Sequence, residues 1–509
     1  MKAFCFSLAF LCLVQTILAL PRPDFGINGD VGNSDKVDAG ALSLNGEFVL
    51  TGQKDITLTA GYTLLATLRT KLIDIGDAIV LKGTAFATQL KTLSTDDTGP
   101  YTPAFGLVET KLNELETLFR TGLAADITAI VTPLGRNSIK LQFEDAFADV
   151  LTIIGTLRTS LTTLKTDVGK AQRAAGTSAT VSTAIIRKNI PAKSVTDVVT
   201  NVRTLRANVQ LVTFIINSSL ENIALADEFV VEITADAEEN VDLYDDSVSA
   251  FQTFLTVDEA ATLTAEVDDN EPETVAELLT EIDADLTAAA GYSSSTLQAE
   301  LTSFGDALVN GLSSAKTSFG TSLTTYSNKV PNYITDLNVG FGNALCLPIK
   351  TVSVALAANA PYSDFCFSKY SPRVVALLGL TISAFDMCFQ REVDKFATLE
   401  AIVAGIVVQL AYNFEDLYGN LAECLLLDDP DLTSCFTTIT PYYVVLTAQI
   451  TEHTTTLEEL VDAETVASSN RLGACIISSL YVTIAQGYEI STDVTTCMTS
   501  GPQAPASGL

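Results

Sequence analysis

Seven cysteines, Cys346, Cys366, Cys388, Cys424, Cys435, Cys475 and Cys497, carry most of the covalent chemistry open to this chain. Only Cys5 and Cys12 lie outside that C-terminal stretch, both in the first turns of an apolar N-terminus. No two of the seven approach the C-x-x-C spacing of a zinc knuckle, so the pattern points to disulfides rather than a metal site. Seven is odd: one thiol stays free or bridges two chains, and spacing alone does not say which.

The remaining residues offer little catalytic chemistry. The only histidine is His453, in "QITEHTTTLEEL", and there is no tryptophan. A Ser-His or Cys-His hydrolase would have to use His453. It falls among threonines and glutamates on what reads as a solvated helix face. The chain has no H-E-x-x-H, no G-x-S-x-G and no phosphate-binding Gly loop. "GFGNAL" at 340–345 begins like a dinucleotide fingerprint but lacks the preceding strand and the third glycine. Clustered carboxylates in "DDNEPE", "EIDADL" and "LLLDDPDL" lack the spacing of a calcium loop and favour loose binding at most. No catalytic residue, cofactor or dedicated metal site is expected.

Charge says more about partners. The net charge is −32, from 61 acidic and 29 basic residues. That balance excludes general affinity for nucleic acid or anionic membranes, which need clustered Lys and Arg. Between Arg206 and Lys316 there are 23 acidic residues and no basic one, whereas residues 54–206 hold 18 of the 29 basic residues. The acidic middle suits a basic surface or protein partner; the bland reading is a solvated face.

The N-terminal "MKAFCFSLAFLCLVQTILAL" reads as a secretory signal peptide over residues 1–19, cleaved after Ala19. No later segment is expected to span a bilayer, since the best candidate, "FATLEAIVAGIVVQLAYNF", contains Glu400 and Gln409. The expected location is therefore secreted and extracellular, where disulfides persist. Asn217 in "NSSL" is the single glycosylation sequon, at the end of an apolar stripe; an occupied and an unused sequon are equally open.

The elements that must position these residues are helices. Phe143, Phe147, Val150, Ile154, Leu157, Leu161, Leu164 and Val168 repeat at steps of 4 and 3 without a break. Similar stripes run through Leu68, Leu72, Ile75 and Ile79; Val108, Leu112, Leu115 and Phe119; and Val195 to Ile216. Pro and Gly breaks between them favour an antiparallel bundle over one long coiled coil. The expected fold is all-α: helical bundles with a C-terminal, disulfide-stapled helical domain. The expected order is a loosely ordered leader with a short strand (20–54), an amphipathic bundle (55–220), an acidic helical segment (221–335), a cysteine-bearing helical domain (336–498) and a polar tail (499–509).

The stretch from "LCLPIKTVSVALAANAPYSDFC" through "ATLEAIVAGIVVQLAYNFEDLYGNLAEC" to "CMTS" resembles the domain of secreted insect proteins related to the tsetse EP protein. The resemblance covers roughly 160 residues and rests on cysteine placement and helix pattern. The Glu-Pro repeat of that family is missing, with "NEPET" a single occurrence. It implies an extracellular insect protein of gut or body fluid, linked to immunity, and transfers no functional residue. Together these features lead to the expectation of a secreted, acidic, non-enzymatic interaction or structural protein. The alternative is an extracellular carrier of lipid or a small hydrophobic ligand, suggested by a mean hydropathy of +0.31 in so acidic a chain.

Overall fold

The computed structural model describes residues 24–96, 100–270 and 284–503. The expected signal peptide, "NEPET" beyond Asn270 and the first half of "EIDADL" lie outside these residues, as does the end of the polar tail. Among the described residues the chain is all-α; the sole β feature is an isolated bridge between Asp24 and Ile27. The principal helices are α1 Ser34–Thr51, α2 Thr63–Ser94, α3 Tyr101–Thr117, α4 Ala124–Leu134, α5 Ser138–Ala175, α6 Thr183–Asn189 and α7 Ala192–Thr253. After a π-helical stretch, Phe254–Glu259, come α8 Ala260–Asn270, α9 Leu297–Ser327, α10 Val330–Ala357, α11 Ser363–Cys424 and α12 Asp429–Ser500.

The chain forms two compact units. One comprises residues 24–233, 349–371 and 491–503; the other comprises 234–270, 284–348 and 372–490. The chain leaves one unit for the other within α7, α10, α11 and α12. The units therefore interleave in sequence and do not follow the expected boundaries at 220 and 335.

In the first unit the expected stripes are the core. All eight residues of the α5 stripe are buried, as are those of α2, α3 and α7. Burying one such Leu, Ile or Phe is worth about 1.5–3 kcal/mol, so these seams dominate the local energetics. The threonines between them fit a helix because each hydroxyl bonds back one turn, as Thr152 does to Ala148 O (2.9 Å) and Thr166 to Thr162 O (2.9 Å).

One expectation is corrected here. Residues 34–51 are not a loosely ordered leader but helix α1, whose Val37, Ala41, Leu44 and Phe48 are fully buried in the core. Its glycine-rich flanks gave a turn signal. The 4-3-4 apolar spacing outweighs that signal once α2 supplies a surface. That surface is made flat by glycines: a Cβ on Gly83 would overlap the Phe48 ring, and one on Gly76 would lie 2.9 Å from Thr51 O. Asp24 fixes the entry by accepting the Val31 N–H at 2.7 Å.

The core of the second unit is aromatic. Phe304 stacks on Phe414 (5.2 Å, 9°), and Phe251 meets Phe389 (5.2 Å) and Tyr326 (5.7 Å). Within it α11 and α12 run antiparallel, with Thr381 Oγ1 2.7 Å from Thr483 Oγ1 and Cys388 bonded to Cys475.

Candidate functional site

The cysteines pair as Cys366–Cys497, Cys388–Cys475 and Cys424–Cys435, with Cys346 on α10 an exposed free thiol. All three staples lie in the C-terminal region of the chain, as expected, the first bridge within the first unit and the other two within the second. Cys424–Cys435 closes the α11–α12 turn, whereas Cys388–Cys475 clamps the same two helices well inside their length. Three disulfides are compatible with an oxidising, extracellular setting.

Around Cys388–Cys475 the second unit holds its most polar core. Glu392 is 3% exposed. It accepts hydrogen bonds from Arg471 Nη2 (2.8 Å), Ser468 Oγ (2.8 Å) and Lys395 Nζ (2.9 Å). Ser468 Oγ also lies 3.1 Å from the Tyr326 hydroxyl, and Arg471 reaches Glu464 at 2.6 Å. Burial pushes the Glu392 carboxyl upward. The hydrogen bonds from Arg471, Lys395 and Ser468 outweigh it and hold the group below the usual carboxylate range. Burial drives the Tyr326 phenol upward, away from any role as a base near neutral pH. The bonds from Arg471 and Ser468 to Glu392 join α12 to α11, and the Ser468–Tyr326 bond joins α12 to α9, so the arrangement fixes the register of the three helices.

Glu259 is the opposite case. It ends the π-helical stretch, is 1% exposed, and among the described residues no N–H or hydroxyl donor reaches either carboxylate oxygen, leaving only the Glu400 carboxyl as a partner. Burial first, then the neighbouring Glu400, pushes its pKa up to about 8. A hydrogen bond between these two carboxyls requires a proton on one of them.

His453 is half-buried with its Nδ1 enclosed and unpaired, not on the open face that its neighbours suggested. Asn217 lies inside α7, half-buried, with Oδ1 enclosed and unpaired. The sequon's Ser218 and Ser219 hydroxyls each accept from Asn359 Nδ2 at 3.0 Å, and Asn359 O accepts from Gln142 Nε2 at 2.7 Å. Asn359 takes a positive φ of 45° in the α10–α11 turn, so the sequon serines serve to hold that turn. Among the described residues no group of three or more His, Cys, Asp or Glu is placed to hold a metal ion.

Acidic side chains line the solvent side of α7 and α8: Glu238, Glu239, Asp242, Asp245 and Asp246 on α7 and Asp268 and Asp269 on α8 are exposed. Apolar side chains are also exposed on the second unit. Leu380 (64%) and Met387 (54%) project from α11, and Ile477 (51%), Tyr481 (69%) and Val482 (56%) from α12. The α12 group falls in residues 472–488, which carry no charge. Two helical stretches, 192–270 and 363–424, are long and apolar enough to cross a membrane by length and composition, the second including the segment judged too polar above. About half of each apolar window is buried within the protein (50% and 44%), as in a core helix. Compared with known proteins, the chain matches no family model, no curated protein and no solved structure.

Proposed function

We propose that this chain is a secreted, acidic, non-enzymatic interaction protein, of the kind the insect extracellular resemblance suggests. Its partner docks on the disulfide-locked α11–α12 pair. The observation that carries this reading is the exposed group Ile477, Tyr481 and Val482 on a charge-free run of α12, in a chain whose net charge is −32. An exposed apolar and aromatic group on a charge-free helical run has the anatomy of the centre of a protein interface, the tyrosine supplying contact area. The acidic faces of α7 and α8 favour a partner of basic charge. Cys346 is the thiol through which two chains would be joined; a single monomeric band on a non-reducing gel overturns that part.

The test is capture from the extracellular fluid in which the protein occurs. The variant Ile477→Glu/Tyr481→Glu should lose the partner held by the wild-type chain, with helicity and melting temperature unchanged. Retention of the same partner by the folded variant, or a turnover activity in the purified protein, overturns the reading.

A further inference from the structure

A cleft in the first unit goes beyond that reading. It lies between α4 and α5 and is closed at one side by the π-helical turn Leu118–Gly122 that follows α3. Its volume is about 440 Å³, within the range of about 300–1,000 Å³ typical of small-molecule sites. The floor is apolar: Phe119, Leu123, Ile127, Phe147 and Leu151. Phe119 and Phe147 meet edge to face at 5.1 Å. Phe119, Leu123, Ile127 and Phe147 keep 2–7% exposure, whereas Leu115, Ile130, Phe143 and Val150 on the same helices are fully sealed. The residual exposure faces the cleft.

The rim carries two cations. Arg120 is given by the wide π-helical turn, a geometry that recurs at functional positions. It uses Nη2 to hold Glu116 at 2.6 Å, and its side chain is 62% exposed. Lys140, from the first turn of α5, is 45% exposed and lies 3.6 Å from Glu144, beyond a direct hydrogen bond. Glu144 is the one acidic residue lining the cleft, so the rim is net positive. In a chain of charge −32 this is an uncommon place, and it falls in the segment holding 18 of the 29 basic residues. A second cleft of about 410 Å³ beside Cys424–Cys435, lined by Leu417, Ile439 and Tyr442, has no charged residue in its lining.

We propose that the α4–α5 cleft binds an amphipathic monocarboxylate, a free fatty acid of medium chain length. The alkyl chain lies against Phe119, Phe147 and Ile127, and the carboxylate meets Arg120 and Lys140 at the rim. An apolar floor gives affinity without selecting a head group. The two cations select a negative one, because a guanidinium and an ammonium supply charge-assisted hydrogen bonds to a carboxylate.

Calorimetric titration of the delipidated full chain with laurate, kept below its micelle concentration, tests this against dodecanol and dodecyltrimethylammonium. Laurate should bind one per chain, about tenfold or more tighter than dodecanol, and the cationic amphiphile should not bind. Arg120→Gln/Lys140→Gln should abolish the preference for laurate over dodecanol. Ala148→Phe, at an exposed cleft-lining position, should block both ligands at an unchanged melting temperature. Absence of laurate binding, equal affinity for dodecanol in the wild-type chain, or laurate binding undisturbed by a folded Ala148→Phe variant overturns the proposal.

Discussion

Arg471 on α12 lies side-on to Glu392 on α11, with Nη2 2.8 Å and Nε 3.1 Å from the same carboxylate oxygen, Oε2. The geometry leaves neither partner replaceable alone. Removing the guanidinium leaves a carboxylate that is 3% exposed with only Ser468 and Lys395 as donors; removing the carboxylate leaves the guanidinium with Glu464. Arg471→Leu should therefore cost about 3 kcal/mol, whereas Arg471→Leu/Glu392→Leu should recover most of that loss. Urea midpoints followed by circular dichroism would show it. An additive double variant would mean that the pair contributes no coupling. Acid acts on the same bond. Because the folded Glu392 titrates below its unfolded value, its stabilisation is present above the ordinary carboxylate range and is lost as pH falls through the lowered pKa.

The disulfides should differ in what they contribute. Cys388–Cys475 closes a separation of 87 residues and Cys424–Cys435 one of 11. On a chain-entropy basis the longer loop constrains the unfolded chain more, by about 2 kcal/mol. Replacing Cys388 and Cys475 by alanine should lower the melting temperature more than replacing Cys424 and Cys435. Iodoacetamide applied to the folded, unreduced protein should leave all six paired cysteines unlabelled, read by peptide mass mapping.

The helical bundle was legible because its seams obey one period. Phe143 through Val168 and Val195 through Ile216 are buried as their spacing requires. Helix α1 carried the same signal in Val37, Ala41, Leu44 and Phe48, but "GINGDVGNSD" ahead of it reads as turn. Disulfide pairing was not legible, since it depends on how α11 and α12 align in space. Nor was the α4–α5 cleft: Phe119 and Phe147 stand in separate seams, and their meeting beneath Arg120 depends on a π-helical turn that no residue type announces. Glu259 was hidden by company, one of 23 acidic residues in a run. Its position between Leu255 and Leu263, four residues from each, does place it on the buried stripe.

The approach of α1 to α2 gives a steric prediction. Gly83 faces Phe48 with no room for a Cβ, and Phe48 is fully buried. Gly83→Val should force the helices apart and cost about 1–3 kcal/mol. Gly106, whose Cβ would meet nothing within 4 Å, is the control: Gly106→Ala should be neutral or stabilising, because it also raises helix propensity. Equal melting temperatures for Gly83→Val and the wild type would contradict the close approach.

Glu259 sets the pH response of the second unit from the alkaline side. Its folded pKa of about 8 lies above the ordinary value of 4.5, because burial and Glu400 both disfavour the charged form. The folded state therefore keeps a proton that the unfolded chain has already lost. Stability is full below about 4.5, declines as pH rises, and levels off above about 8. Glu259→Gln retains the shape and carries no charge to desolvate. It should raise the melting temperature at pH 8 by a few degrees, leave it unchanged near pH 4.5, and flatten the profile between. Glu392 opposes this from about 4.5 downward, its stabilisation being lost as pH falls to its lowered pKa, so these two groups together place the optimum near pH 4.5. A Glu259→Gln variant that melts with the wild-type pH dependence would show that Glu259 is charged in the folded protein at neutral pH, with a solvated carboxylate rather than an enclosed one.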